Sequence, residues 1–69
     1  MELEFAVFCI ENIARRLHRS GAEIYSLLAE SSELLSSYIM ANWEILHTQD
    51  KDYIVDDILD VMRERGLPV

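Results

Sequence analysis

Two histidines, one cysteine and a run of aspartates are the side chains of this 69-residue chain that could take part in chemistry. His18 and His47 lie far apart in the sequence, and neither belongs to the HExxH spacing that presents two imidazoles to zinc. No serine lies in a nucleophile-elbow pattern, and Gly21 and Gly66 are too far apart for a phosphate-binding loop. We therefore expect no enzymatic activity, no catalytic residue and no cofactor.

The aspartates form a ladder in which Asp52, Asp56 and Asp60 follow one another at four-residue spacing, with Asp57 beside them. This spacing places the carboxylates on one side of a helix, where a divalent metal could bind. Calcium loops, however, take their ligands from a tightly turned backbone, and a straight helix lacks that geometry. Acids early in a helix and arginines in its last turn also suit the helix dipole. We interpret the ladder as a solvated face and expect no metal site.

The chain is acidic and rich in apolar residues. Thirteen acids against six bases give a formal charge of −7, and 51% of the residues are apolar. Negative charge opposes binding to nucleic acid or to an anionic membrane, because both require a cationic protein surface. A domain of this size buries only roughly 60% of its unfolded surface, so some apolar residues should need a partner to cover them. We expect one domain over residues 1–69 and a protein partner, most simply a second copy.

Cys9 is the only cysteine, which excludes an internal disulfide and the multi-cysteine zinc patterns. A lone thiol suits a reducing compartment, and we expect it to be an inert core residue. The apolar run over residues 5–10 is too short to span a bilayer, and it follows acids rather than the basic residues of a signal peptide. The sequence therefore predicts a cytoplasmic protein that does not contact a membrane.

The apolar spacing predicts an all-α fold, a compact bundle of about four short helices. The first should run over residues 2–18. Its apolar side should contain residues at helical spacing: Leu3, Ala6, Ile10, Ile13, Ala14 and Leu17. The second helix should begin at Ser20, end near residues 30–31, and carry a capping box in which Ser20 and Glu23 each satisfy a backbone amide.

The third predicted helix runs over residues 32–47 and leads into the fourth. Asn42 falls on its apolar side and is either a buried amide that needs partners or a sign that the helix bends or breaks. Asp50 is the favoured N-cap of the fourth helix, with Thr48 as the second candidate. We treat three residues at this junction as a candidate structural motif: His47, Thr48 and Asp50.

The end of the fourth helix carries a clear stop signal. Gly66 can adopt the left-handed conformation without a Cβ penalty, and Leu67 follows where a Schellman cap requires an apolar residue. Pro68 cannot continue a helix. The preceding residues at helical spacing should form a buried stripe flanked by Val55 and Leu59: Ile54, Ile58, Val61, Met62 and Arg65.

Residues 13–28 are similar to the apolar skeleton of a DNA-binding helix-turn-helix, although His18 replaces the usual glycine of the turn. The would-be recognition helix exposes Gly21, Ala22, Glu23, Ser26 and Glu30, without a lysine, arginine, asparagine or glutamine that could read bases. Two packed helices explain the skeleton more simply. A DNA-binding or transcription-linked domain is therefore the alternative interpretation.

Phe8 falls on the polar side of the first helix, near Glu4, Glu11 and Arg15, with Phe5 at the border. Aromatic side chains are enriched at protein interfaces, so an outward phenylalanine is a candidate anchor. The arginines that follow could steer an acidic partner. The candidate interface consists of Phe5, Phe8, Arg15, Arg16 and Arg19.

Three stretches of the chain, LEFAVFCIENIA, SGAEIYSLL and LHTQDKDYIVDDI, carry a resemblance to a known family. They are similar to the small bacterial domain-of-unknown-function family numbered 3791, and the last stretch is the most specific. Asp50 stands where that family leads us to expect a glycine. The resemblance implies a compact helical domain that serves as an accessory or antitoxin-like partner. We therefore expect a non-enzymatic protein-interaction module that self-associates.

Overall fold

Helices supply all the regular secondary structure in the computed structural model, which describes residues 1–69. In chain order the segments are α1 (Glu2–Leu17), α2 (Gly21–Tyr25), π1 (Ser26–Glu30), π2 (Leu35–Met40), α3 (Trp43–Leu46) and α4 (Lys51–Glu64). The segment π1 continues α2 directly with wider i to i+5 hydrogen bonding, as between the Ser31 amide and the Ser26 carbonyl (2.9 Å). The predicted all-α bundle is confirmed. None of its helices is both long and apolar enough to cross a membrane.

The first helix is the common packing partner, since α2, π2 and α4 all contact it. Its buried residues are Phe5, Ala6, Cys9, Ile13 and Ala14. The prediction of its apolar side was therefore partly wrong, because Leu3 is 64% exposed and Phe5 only 7%. Three neighbouring elements cover a side of α1 centred near Cys9 and Ile13, and Leu3 does not face that side.

The turn after α1 is closed by His18 in the left-handed conformation, with φ 55° and ψ 45°. The amide of His18 donates to the Arg15 carbonyl (3.3 Å), and the amide of Arg19 donates to the Ala14 carbonyl (2.9 Å). This is the Schellman pattern, in which glycine is the usual residue at the left-handed position. A histidine there has a backbone cost of about 1 kcal/mol that the surrounding packing must offset.

The second helix begins at the predicted capping box, which the structure confirms. The Glu23 amide donates to the Ser20 hydroxyl oxygen (3.1 Å), and the Ser20 amide donates to the Glu23 carboxylate (3.3 Å). This backbone bond from Ser20, aided by Arg19, lowers the pKa of Glu23 below its ordinary value. Local hydrogen bonds thus set the start of α2 without any contribution from the core.

The third predicted helix is broken, because residues 41–42 separate π2 from α3. Asn42 lies at φ −106° and ψ 17°, outside the helical region. Its side-chain amide donates to the Tyr38 carbonyl (2.7 Å), and its own carbonyl accepts from the Leu46 amide (2.9 Å). Asn42 therefore ends one segment and begins the next. Of the two alternatives left open by the sequence, the break is correct.

The fourth helix has both predicted caps. The Asp50 carboxylate accepts from the Asp52 amide (3.0 Å) at its start. At its end Gly66 lies at φ 77°, and the Gly66 and Leu67 amides donate to the Arg63 and Met62 carbonyls, both at 3.0 Å. That pair of bonds is a complete Schellman motif. Buried residues of α4 are Ile54, Val55, Ile58, Leu59 and Met62.

Replacement of Gly66 by alanine should lower the free energy of unfolding by about 1 kcal/mol, because a Cβ disfavours its left-handed backbone. No atom lies within 4 Å of that Cβ position, so the loss would come from the backbone alone. Urea denaturation followed by circular dichroism measures it. As the matched control, Gly21→Ala should raise the stability by about 0.5 kcal/mol, since its Cβ would meet Ile10 Cγ2 at an ordinary 3.8 Å. Equal losses in both variants would contradict the assignment.

Candidate interaction surface on the first helix

Exposed apolar side chains are concentrated at the beginning of the chain. Seven large apolar residues are exposed: Met1, Leu3, Val7, Phe8, Tyr25, Ile45 and Tyr53. Four of the seven belong to the first eight residues. A concentration of this kind is typical of a surface that a partner covers, whereas single exposed apolar residues need no such explanation.

Two phenylalanines of α1 have different roles. Phe8 is 37% exposed, while Phe5 is 7% exposed and belongs to the core. Their rings stack with centroids 6.2 Å apart and an interplanar angle of 18°. The expectation that Phe5 contributes to an interface is therefore corrected. Phe5 is a core residue whose ring stacks against the ring of Phe8. Phe8 alone is available for contact with a partner.

Phe8 is part of an exposed stripe along α1, formed by Glu4, Phe8, Glu11 and Arg15 at spacings of four, three and four residues. Such spacing keeps the four side chains on one side of the helix. The charged members make no ion pair or side-chain hydrogen bond within the chain. We call this set the α1 stripe. It places an aromatic ring between unpaired acids and an unpaired arginine.

The other two arginines of the predicted interface are bonded inside the molecule. Arg16 reaches α4, with Nη1 2.6 Å from the Asp56 carboxylate and Nη2 3.4 Å from that of Asp52. The hydrogen bond to Asp56 is the main reason why the pKa of Arg16 is raised. Arg19 pairs with Glu23 at 3.3 Å and donates to the Pro68 carbonyl at 2.7 Å. The structure thus leaves Arg15 as the member of this cluster that is free to meet a partner.

The aspartate ladder consequently holds α4 against α1 as well as facing solvent. The side chains of Asp52 and Asp56 remain 76% and 65% exposed while they bond Arg16. Asp57 accepts a hydrogen bond of 2.5 Å from the Tyr38 hydroxyl, which ties α4 to π2. No group of three or more histidine, cysteine, aspartate or glutamate side chains is placed to hold a metal ion.

The junction residues His47, Thr48 and Asp50 bond the ends of two helices. The His47 ring stacks on Trp43 with centroids 4.5 Å apart, and its Nδ1 lies 2.7 Å from the Trp43 carbonyl. The Thr48 hydroxyl donates to the Ile45 carbonyl at 2.7 Å, at the end of α3. Thr48 therefore closes α3, and Asp50 alone caps α4. These contacts are structural, since each one bonds a helix end close to it in the chain.

One buried and one partly buried ionisable group have raised pKa values. Burial raises the pKa of Cys9 to about 12, so the fully buried thiol stays protonated and unreactive. The pKa of Tyr38 also rises to about 12, first because its hydroxyl bonds the Asp57 carboxylate and then because of burial. Neither group belongs to the exposed surface, and both stabilise the packing beneath it.

The bond between Tyr38 and Asp57 predicts a loss of stability at alkaline pH. Because the folded pKa of Tyr38, about 12, exceeds its ordinary value of 10, the contribution is complete below pH 10 and disappears as pH rises through 12. Tyr38→Phe should lower stability by about 1 kcal/mol at pH 8, with the difference from the wild type shrinking above pH 10. Urea midpoints measure both, and Tyr25→Phe is the control, since Tyr25 is exposed and its hydroxyl has no hydrogen-bond partner. A pH-independent difference would contradict this.

A comparison with known proteins identifies a family whose model matches this chain. Residues 4–65 match the model of a family described as "Protein of unknown function (DUF3791)". This match spans nearly the whole chain and contains α4, its N-cap Asp50 and the whole α1 stripe, and it ends one residue before Gly66. No curated protein matches the chain, and no solved structure does. The resemblance carried by SGAEIYSLL and LHTQDKDYIVDDI is therefore confirmed, and the chain belongs to the DUF3791 family.

Proposed function

We propose that this chain is a non-enzymatic protein-interaction module that self-associates through the α1 stripe. The observation that carries the proposal is the placement of Phe8 between unpaired acids and the unpaired Arg15. A second copy offers the same stripe, so one surface supplies both halves of a two-fold interface. We also propose an accessory role in the cytoplasm, which the resemblance and the free, buried Cys9 thiol support.

The charges of the stripe favour an antiparallel arrangement of two α1 helices. In that arrangement residues whose numbers add up to 19 face one another, so Arg15 of one copy meets Glu4 of the other. The two Phe8 rings then lie three residues apart along the axis, about 4.5 Å, on opposite sides of the two-fold. A parallel arrangement would instead bring Arg15 against Arg15 and Glu4 against Glu4, which like-charge repulsion disfavours. The pattern therefore selects one orientation.

The expected dimer is weak. Full burial of a phenylalanine side chain contributes about 1.5–3 kcal/mol, and Phe8 is already 63% covered in the single chain because 37% is exposed. Each exposed ion pair between Arg15 and Glu4 adds at most about 1 kcal/mol, and salt weakens it. We therefore expect a dissociation constant on the order of 1 mM, with a dependence on ionic strength.

Support for the DNA-binding alternative is absent from the surface that would read DNA. The exposed residues of α2 and π1 carry no cation. Arg16 and Arg19, the nearest bases, bond Asp56 and the Pro68 carbonyl within the chain. Base-edge readout needs donors on the inserted helix, and phosphate binding needs free cations beside it. We therefore propose no DNA-binding role for this chain.

Substitution Phe8→Asp should convert the dimer to a folded monomer, because two buried carboxylates would replace the central pair of rings. Light scattering coupled to size exclusion, from 10 to 500 µM chain, gives the mass, and circular dichroism reports folding. Tyr53→Asp, an exposed aromatic of α4, is the matched control and should leave the dimer intact. A wild-type monomer over the whole concentration range would reject self-association.

A charge exchange tests the orientation separately. Arg15→Glu should weaken the dimer by about three- to tenfold, because each of two interchain pairs becomes repulsive. Glu4→Arg combined with Arg15→Glu should restore it, since the exchange rebuilds both pairs with reversed sign. Sedimentation equilibrium at low salt measures the dissociation constants. A double variant as weak as the single one would reject the antiparallel pairing while leaving a role for Phe8 open to the previous test.

A further inference from the structure

A second surface feature lies where the break at residues 41–42 separates π2 from α3. The beginning of α1 approaches this break and encloses a groove of about 360 Å³. Its apolar lining comes from Met40, Trp43 and Ile45, and Ile45 is 68% exposed, more than any other large apolar residue of the chain. The groove is therefore an exposed depression with both polar and apolar lining, and it is not part of the core.

Acidic side chains alone provide the charge around this groove. Glu2 and Glu44 both line it, and neither makes an ion pair or a side-chain hydrogen bond within the chain. No lysine or arginine lines the groove. All six bases lie elsewhere: Arg15, Arg16, Arg19, Lys51, Arg63 and Arg65. The groove thus combines the apolar side chains of Met40, Trp43 and Ile45 with the unpaired carboxylates of Glu2 and Glu44, in a chain of net charge −7.

We propose that this groove binds a basic amphipathic helix of another protein. One or two apolar side chains of that helix would pack against Met40, Trp43 and Ile45, while its lysines or arginines would meet Glu2 and Glu44. Helices commonly bind in this way, with an apolar face in a groove and charges at its margin. The volume of about 360 Å³ is at the lower end of the range for binding pockets, so it suits one or two side chains.

The negative charge of the groove indicates which kind of partner binds there. A second copy of this chain carries −7 and would bring further acids to Glu2 and Glu44. Nucleic acid and anionic membranes are repelled for the same reason. A basic helix is the partner whose charge and apolar face both fit. The groove is also distinct from the α1 stripe, because Glu2 lies about 120° or more around the axis of α1 from each stripe residue.

Trp43 makes the proposal directly measurable, because it is the only tryptophan of the chain and lines the groove. The probe is a 14-residue peptide of leucine and lysine arranged as an amphipathic helix, without aromatic residues. Its addition should shift the Trp43 emission in a saturable manner. A peptide of the same composition in scrambled order, which cannot form an apolar face, should bind at least tenfold more weakly.

Variants of the groove locate the binding. Ile45→Ser and Glu44→Lys should each weaken binding of the leucine–lysine peptide at least fivefold, and both positions are exposed, so the fold is retained. Tyr53→Ser and Asp60→Lys are matched controls on α4 and should bind like the wild type. The proposal is overturned if the peptide leaves Trp43 unchanged, if the scrambled peptide binds equally well, or if the controls lose as much affinity as the groove variants. At protein concentrations low enough to keep the wild type monomeric, Phe8→Asp should bind the peptide like the wild type, so failure of self-association would not affect this test.

Discussion

Burial of one side of α1 is the constraint on which the rest of the structure depends. Cys9 and Ile13 are fully buried, and α2, π2 and α4 all pack against the side of the helix that contains them. The only other element longer than six residues is α4, and α4 packs chiefly against α1. Arg16 then fixes α4 in place through Asp52 and Asp56. The side of α1 that remains uncovered is the α1 stripe.

The sequence predicted best what is decided within a few residues. The capping box of Ser20 and Glu23, the N-cap Asp50 and the Schellman motif at Gly66 were all confirmed, since each depends on side-chain and backbone groups that are close in the chain. His18 shows the limit of residue type, because the turn keeps its left-handed geometry although a histidine stands where glycine is usual. Local chemistry therefore fixed the ends of the helices.

Features that depend on distant contacts could not be predicted in the same way. Periodicity placed Leu3 on the buried side and Phe5 at its border, but the neighbouring helices decide which side is covered. Arg16 lies 36 and 40 residues from its two partners, so no spacing rule links them. The sequence predicted Phe8 and Arg15 as part of a candidate interface, but it did not predict the groove near Trp43. The only sequence signal for the groove was the helix break at Asn42. A break alone does not show that Glu2 at the beginning of α1 lies beside it.

The two proposed surfaces are coupled through charge. Two copies that each carry −7 repel one another as α1 approaches α1, and this repulsion opposes the attraction between Arg15 and Glu4. A basic helix bound near Glu2 neutralises part of that charge at the acidic end of the same helix. Glu2 and Glu4 lie on opposite sides of α1, so this effect acts through the net charge of the whole chain, and salt should weaken it. Binding of a basic partner should therefore strengthen self-association, and by linkage the dimer should bind the partner more tightly than the monomer does.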